Sequence, residues 1–478
     1  MRPLGPGWCR KALATVGVAV ALTVGAAAQE APDALLTTPI TPQILATGNE
    51  LDAYTLGVQA YVWGYPLVRM ERVARQYTIV PTDNPDTSYR APLDRIGWAR
   101  DLATSAAKDM PTANNDTFYM SAVVRLDEPF ILSVPDTHDR YYVVNVFNMW
   151  QELQHYIGRR TTGTSAARYA IVPPGWQGEL PAGISRLDVS TNKVWLWGRL
   201  RIAEGEDKDP VLALEQQFKL VPLSQLGKVN EAPPVAPLAP LPSIEGDDLG
   251  FFVQLGAVLR DNAVKPADEA LFAQFARIGL SRDGFDPSKL SAERRRGLVR
   301  ALKDGPLIVI SAFTTAAIVR DGWSWAIGLD NFGFNYPLRA LVAGPYLGGN
   351  GEKEAMYPLR YTDSKDQVLS GEHTYTLKFD RSPPVDAFWS VTVYDAADKL
   401  LVANPLERYK VGSDTRGLAT AADGSVTVLL RHSAPAGDAA KNWLPTPAGP
   451  FYLVLRLYQP RSEVLNGTYQ LPQVVRDE

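Results

Sequence analysis

The chain has 478 residues, with 48 basic and 52 acidic side chains and a formal charge of −4. That mild acidity, with no basic stripe, excludes a nucleic-acid binder that works by neutralising phosphates. A single cysteine, Cys9, and four histidines leave little for disulfides, thiol chemistry or a multi-histidine metal centre.

The chain begins as a processing signal does. Arg2, Arg10 and Lys11 precede an apolar run from Ala12 to Gly25, and Ala26-Ala27-Ala28 before Gln29 forms a small-residue cleavage site. Residues 1–28 therefore read as a signal peptide, and the mature protein is expected in the periplasm or secreted. Cys9 lies within that signal, so the mature chain is expected to hold no cysteine. The run is short for a bilayer span, and no second run is long enough, so no membrane span is expected after processing.

Residues 29–110 read as a leader and a helical segment. Asn49 can cap a helix there, and Leu51, Leu56, Tyr61 and Val62 give it one apolar side. Gly64-Tyr65-Pro66 is expected to interrupt that helix. Residues 111–221 read as a first β-sandwich: Phe130, Leu132 and Val134 alternate with Ile131 and Ser133, and Tyr142, Val144, Val146 and Asn148 alternate with Tyr141, Val143, Asn145 and Phe147. Residues 222–243 are a proline-rich linker, with six prolines between Pro222 and Pro242.

Residues 244–350 are helical in pattern. Phe252, Leu255 and Leu259 share a side, and Ser291 opens a basic helix from Arg294 to Lys303 that reads as a solvated face. Residues 351–478 form a second sandwich. Trp389, Val391 and Val393 alternate with Ser390, Thr392 and Tyr394, and Phe451, Leu453, Leu455 and Leu457 alternate with Tyr452, Val454, Arg456 and Tyr458. The fold class is mainly β with an α-helical middle region, in two jelly-roll-like antiparallel β-sandwiches.

Familiar catalytic signatures are missing. No phosphate loop and no Gly-x-Ser-x-Gly elbow occurs, and Gly348-Gly349-Asn350-Gly351 reads as a turn. Ser190-Thr191-Asn192-Lys193 fits a Ser-x-x-Lys pattern without its companion motifs. No loop has calcium-hand spacing, so neither a metal nor another cofactor is expected.

The polar residues that remain gather between Asn114 and Trp150. Asn114, Asn115, Asp116, Thr117 and Tyr119 form one group. Asp116 reads either as a general acid or base, or as an Asx-type turn that caps local amides. Arg140 reads as an anion clamp, or as a partner of Asp116 or Asp139 that fixes a hairpin. Asn148 and Trp150, with Tyr142, suit a ligand wall; the same tryptophan could equally finish a sandwich core. Arg456, on one side with Tyr452 and Tyr458, must be solvated or paired, with Glu407 and Asp395 as candidates.

These residues carry a resemblance. Tyr61-Val62-Trp63-Gly64-Tyr65-Pro66, Asn115-Asp116-Thr117-Phe118-Tyr119, Arg140-Tyr141-Tyr142, Gly158-Arg159-Arg160-Thr161-Thr162-Gly163 and Trp197-Gly198-Arg199 match the pattern of domain of unknown function 1254. Gly333-Phe334-Asn335-Tyr336, Phe388-Trp389-Ser390-Val391-Thr392-Val393-Tyr394, Asn442-Trp443-Leu444-Pro445 and Leu455-Arg456-Leu457-Tyr458 match domain of unknown function 1214. The chain resembles bacterial proteins that pair the two in this order. One departure stands out: Asn148 occupies a place where an aspartate is expected before Met-Trp. The resemblance implies jelly-roll-like sandwiches, export and a homo-oligomer; it carries no established mechanism. The expected activity is that of an exported, hydrolase-like enzyme acting on a polar small molecule or glycan. Asp116 and Arg140 would be its catalytic groups. A non-catalytic ligand- or glycan-binding protein and a structural oligomer are the alternatives.

Overall fold

The computed structural model describes residues 33–108, 110–228 and 235–477, so the expected signal peptide lies outside the described residues. The described residues divide after Thr47 into two units. In the first, a short helix, Ala34–Thr37, is capped by Asp33, whose Oδ1 accepts from the Leu35 amide at 2.9 Å.

The first sandwich is built from nine strands: β1 (Gly97–Trp98), β2 (Thr117–Arg125), β3 (Phe130–Val134), β4 (Tyr142–Asn148), β5 (Leu153–Gly158), β6 (Ala167–Val172), β7 (Ser185–Asp188), β8 (Lys193–Arg201) and β9 (Lys219–Pro222). One sheet runs β1-β2-β8-β4-β5, the other β7-β6-β3-β9. Strand alternation decides which residues fill the space between them. Phe118, Met120, Ala122 and Val124 of β2 and Val194, Leu196 and Leu200 of β8 point inward, against Leu132, Ile171 and Leu220 of the opposing sheet. The other side of the five-stranded sheet therefore carries Thr117, Tyr119 and Ser121 of β2, Trp195, Trp197 and Arg199 of β8, and Asn145 of β4 with Tyr141 just before that strand. That outer side is unusually polar and aromatic for a buried surface.

The helical middle covers one end of it. A helix runs unbroken from Pro42 to Thr78 with Pro66 inside it, which corrects the expected interruption at Gly64-Tyr65-Pro66. Proline removes an amide donor from the ladder. Tertiary bonds hold the helix in place beside it: Arg339 Nη2 donates to the Trp63 carbonyl at 3.1 Å, and Trp63 Nε1 donates to Asp268 Oδ2 at 2.8 Å. Helices Gly250–Val258 and Ala292–Ser311 pack alongside, with Arg72 donating to Gln254 and Tyr54 to Asp304. A small hairpin, β10 (Leu280–Ser281) and β11 (Gly284–Phe285), closes this region.

The second sandwich contains β12 (Ala317–Arg320), β13 (Trp323–Ala326), β14 (Ala355–Met356), β15 (Leu359–Arg360), β16 (Tyr375–Phe379), β17 (Trp389–Asp395), β18 (Lys410–Gly412), β19 (Val426–Arg431), β20 (Trp443–Pro445), β21 (Phe451–Tyr458) and β22 (Val474–Arg476). One sheet runs β12-β13-β15-β21-β17-β18, with β14 also on β21; the other runs β20-β19-β16-β22. Val391, Val393, Leu453, Leu455 and Leu457 form its core with Leu377, Phe379, Val428 and Leu430. The alternate residues Ser390, Thr392, Tyr394, Tyr452, Arg456 and Tyr458 face away from that core. They meet the outer side of the first sandwich: Tyr141 lies edge-on to Tyr458 at 5.6 Å, and Tyr394 Oη donates to the Ala113 carbonyl. The two sandwiches thus join through their polar faces.

Candidate functional site

Asn114 shapes the entrance to β2. Its Oδ1 accepts from the amides of Asp116 at 2.8 Å and Thr117 at 2.9 Å, and from Thr117 Oγ1 at 3.1 Å. Its Nδ2 donates to Tyr119 Oη at 2.6 Å. Asn114 is therefore the Asx-turn residue, and Asp116 is left to reach across to the second sandwich. Asn115 turns the other way and donates to the Ala103 carbonyl at 2.7 Å.

The Asp116 carboxylate is buried and fully engaged. Its Oδ1 accepts from Lys410 Nζ at 2.9 Å, and its Oδ2 accepts from Ser390 Oγ at 2.8 Å and Tyr458 Oη at 3.4 Å. Ser390 lies opposite Arg456 in the β17–β21 ladder, so the arginine enters the same layer. Arg456 Nη1 donates to Thr392 Oγ1 at 3.1 Å and Nη2 to the Thr112 carbonyl at 2.8 Å. Its guanidinium carbon lies 5.5 Å from the Tyr394 ring. Neither Glu407 nor Asp395 pairs with it.

Arg199 is the first sandwich's counterpart. It lies opposite Tyr119 in the β2–β8 ladder, 5.8 Å from the Tyr119 ring and 5.9 Å from that of Trp197. Its Nη2 donates to the Gly348 carbonyl at 2.9 Å. Gly348 has φ +69°, and a Cβ there would come within 2.8 Å of Trp197 Nε1. Only glycine brings its carbonyl so close to the tryptophans without strain. Asn350 Oδ1 accepts from Asn145 Nδ2 at 2.6 Å, and Asn350 Nδ2 donates to Tyr357 Oη at 2.7 Å. The glycine-rich turn thus carries part of the site.

Charge in this layer does not balance. Lys410, Arg456 and Arg199 are cations, and Asp116 is the one carboxylate in an ion pair with any of them among the described residues. Burial, then Asp116, pushes the Tyr458 hydroxyl well above its ordinary value, and burial, then Glu354, does the same to Tyr141. Those rings stay neutral near pH 7. Burial alone would lower the pKa of Arg456; Tyr394, Tyr458 and Asp116 outweigh it and hold it above the usual guanidinium range. Buried cations are ordinarily paired, and Arg199 and Arg456 have only neutral hydrogen-bond acceptors.

Tyr357 lies deep among Arg199, Arg456 and Tyr119, yet it retains accessible surface. Leu347 and Leu359, also partly exposed, pack on the same cluster. Tyr361, half exposed, stacks on Tyr452 at 5.2 Å. Tyr357, Leu359 and Tyr361 alternate along one side of the segment that holds β15.

Asp116, Tyr119, Thr117, Asn114 and Arg456 are brought together; the other expected site residues are not. Arg140 forms a two-armed pair with Glu206, its Nη1 3.2 Å from Oε2, and also donates to the Arg201 carbonyl at 2.8 Å. Glu206, Asn115 and Lys410 line an open pocket of about 390 Å³, so Arg140 lies behind its rim. Tyr142 points into the first core and donates to the Gly163 carbonyl at 3.2 Å. Trp150 is buried 4.7 Å from Trp63 and donates to the Ala263 carbonyl at 3.3 Å. Asn148 Nδ2 donates to Glu152 Oε2 at 2.7 Å and Ser190 Oγ at 2.8 Å. Lys193, of the Ser-x-x-Lys pattern, pairs with Glu71 on the long helix at 2.7 Å. Ser390, Lys410, Asn350 and Tyr357 were not singled out from the sequence as site residues; a lysine within Tyr409-Lys410-Val411, between apolar neighbours on a strand, was the available signal. Among the described residues no cluster of three or more His, Cys, Asp or Glu side chains suits a metal ion.

Family models match both halves. A protein of unknown function, DUF1254, matches residues 93–222, and a protein of unknown function, DUF1214, matches residues 354–462. The crystal structure of the VPA0106 protein from Vibrio parahaemolyticus is similar, with 26% identity and a TM-score of 0.68 over 89% of this chain and 100% of that one. An uncharacterized protein from Burkholderia cenocepacia aligns over 93% of this chain and 91% of its own, at 13% identity and a TM-score of 0.42. No curated protein matches the chain.

Proposed function

This chain belongs to the proteins that join a DUF1254 domain to a DUF1214 domain, and on that premise we propose that it binds a small oxyanion-bearing molecule between its two sandwiches. One observation carries the reading: Arg199 and Arg456, one from each sandwich, are buried without carboxylate partners among the described residues. Desolvating a guanidinium costs free energy that tyrosine hydroxyls and carbonyls offset poorly, whereas an anionic ligand would offset it well. The accessible surface of Tyr357, Leu359 and Tyr361 supports a route from solvent to that layer, with an aromatic lining suited to a partly apolar ligand.

Differential scanning fluorimetry against a panel of carboxylates, aromatic acids and uronic acids tests this. At least one class is expected to raise the melting temperature of the wild-type protein and to leave Arg456→Met unmoved. A panel that shifts neither protein, or both alike, would overturn the reading.

A catalytic reading has its own support. Ser390 Oγ and Lys410 Nζ flank the two oxygens of Asp116, an arrangement able to move a proton. On that reading the ligand is a substrate and the activity hydrolase-like. Product formation by the wild-type protein, lost in Asp116→Asn with ligand binding retained, is the expected result.

We propose export as well. The basic residues, apolar run and alanines before Gln29 support a processed N-terminus. Sequencing of the protein recovered from a periplasmic fraction is expected to begin near Gln29; an intact Met1 in that fraction would count against it.

A further inference from the structure

The Gly158–Gly163 turn, prominent in the sequence, has no part in the layer just described. It closes on itself: the amides of Thr161 and Thr162 donate to the Gly158 carbonyl at 3.0 and 2.9 Å, and Thr162 Oγ1 accepts from the Gly158 amide at 2.9 Å. A Cβ at Gly158 would come within 2.4 Å of the Tyr142 carbonyl. This rigid turn presents Arg159 and Arg160 to a pocket of about 620 Å³, whose far wall is Gln459 and Arg461 of the second sandwich.

Arg159 holds the walls together. It pairs with Asp139 at 2.9 Å and donates to Gln459 Oε1 at 2.8 Å. The other groups are only partly used. Arg160 gives its Nε to Glu354 at 2.6 Å, and Arg461 gives its Nε to Asp386 at 2.6 Å. The terminal nitrogens of both have no hydrogen-bonded acceptor among the described residues, and neither has the ammonium of the exposed Lys353, which also lines the pocket. Gln459 is 5% exposed, and its Nε2 is buried without a partner. The Arg159 bond fixes which end of that amide is oxygen. Gln459 also has φ +52°, a conformation costly for a non-glycine residue, held by its amide bond to the Glu354 carbonyl at 2.9 Å and by its carbonyl accepting from the Asp386 amide at 2.8 Å.

The unused groups of Arg160, Arg461, Lys353 and Gln459 are donors, three of them cationic, and each of the two lining carboxylates faces its own arginine, Asp386 through Oδ1 alone. We propose that this pocket is a binding site for a tetrahedral oxyanion, phosphate or sulfate, either free or as the terminal group of a larger molecule. Arg160 and Arg461 would bind two oxygens from opposite sandwiches, and Lys353 would add charge at the mouth. The site lies outside the interior layer, and Glu354 stands between the two, accepting from Arg160 Nε on one side and from Tyr141 Oη on the other.

Calorimetric titration of the full chain at low ionic strength tests the assignment, with inorganic phosphate, inorganic sulfate, a sugar phosphate monoester and a sugar sulfate monoester as four arms. One equivalent is expected to bind, more weakly as salt rises. Arg461→Ala and Lys353→Ala are each expected to weaken it by about tenfold, roughly the loss of one charge-assisted bond. Both residues are exposed, so folding is retained, as an unchanged denaturation midpoint would verify. Tighter binding of an ester than of the inorganic ion identifies a carried group; equal binding identifies the free ion. Failure to bind any of the four overturns the proposal. So does binding that survives both substitutions, or binding lost on Arg456→Met, which would place the anion in the interior layer instead.

Discussion

Lys410 Nζ lies 2.9 Å from Asp116 Oδ1, a buried ion pair made of one group from each sandwich. Removing one partner strands the other. Lys410→Met is expected to destabilise the protein by about 3–5 kcal/mol, as for other broken buried pairs. The double variant with Asp116→Asn should recover much of that loss. A urea-denaturation double-mutant cycle measures the coupling; additive losses would mean that the two groups do not depend on each other.

Arg456 should behave in the opposite way. A buried guanidinium without a carboxylate partner contributes little to folding, and replacing such charges by apolar groups is often neutral or stabilising. Arg456→Met is therefore expected to keep the ligand-free protein within about 1 kcal/mol of wild type, the net worth of a typical hydrogen bond. Any ligand-induced rise in melting temperature should vanish. A large loss of stability without ligand would make the arginine structural.

Glu215 predicts a pH dependence. It is 1% exposed, and neither carboxylate oxygen has a partner among the described residues. Burial pushes its carboxyl up to about 8, with Arg100 pulling the other way. Between roughly pH 4.3, the unfolded value, and pH 8 the folded protein holds a proton that the unfolded chain releases. Stability should therefore fall as pH rises through that window and level off above it, by up to about 5 kcal/mol for a shift of that size. Glu215→Gln should remove the slope and be the more stable protein at pH 9. Parallel urea curves for the two proteins at pH 5, 7 and 9 would refute this.

Asn148 offers a local test. Its amide donates to Glu152 Oε2 and Ser190 Oγ, and Glu152 already holds Lys265 and Arg339. Asn148→Asp would exchange a donor for a second negative charge, costing about 1–3 kcal/mol at neutral pH. The deficit should shrink as pH falls and the new carboxyl protonates. Thermal melts at pH 4.5 and 7.5 give the comparison; a constant deficit would mean that charge is not its cause. The departure at Asn148 is thus matched to the carboxylate beside it.

Much of the second sandwich was legible because alternation with a period of two is a local signal. Trp389 to Tyr394 and Phe451 to Tyr458 announced both which side was apolar and which carried Arg456. What that polar side would meet was not legible. Asp116 and Lys410 are 294 positions apart, and nothing in either neighbourhood names the other. The Asp116 ambiguity came from three successive residues able to cap a turn; Asn114 takes that role, which the sequence alone did not resolve. Arg140 misled for a related reason: a turn arginine beside tyrosines looks the same whether it faces a ligand or, as here, Glu206. At Pro66 the local rule was sound, and tertiary packing around Trp63 overrode it.

The apolar sides of both sandwiches are turned inward, and their polar sides are pressed together. One hydrophobic cluster runs across that junction, from Trp195 and Trp197 to Tyr394 and Tyr452, so either half alone would lay bare an aromatic surface holding one of the two arginines. A molecule gripped by Arg199 and Arg456 would be recognised only by the joined pair, so dividing the chain at the junction would be expected to abolish that recognition.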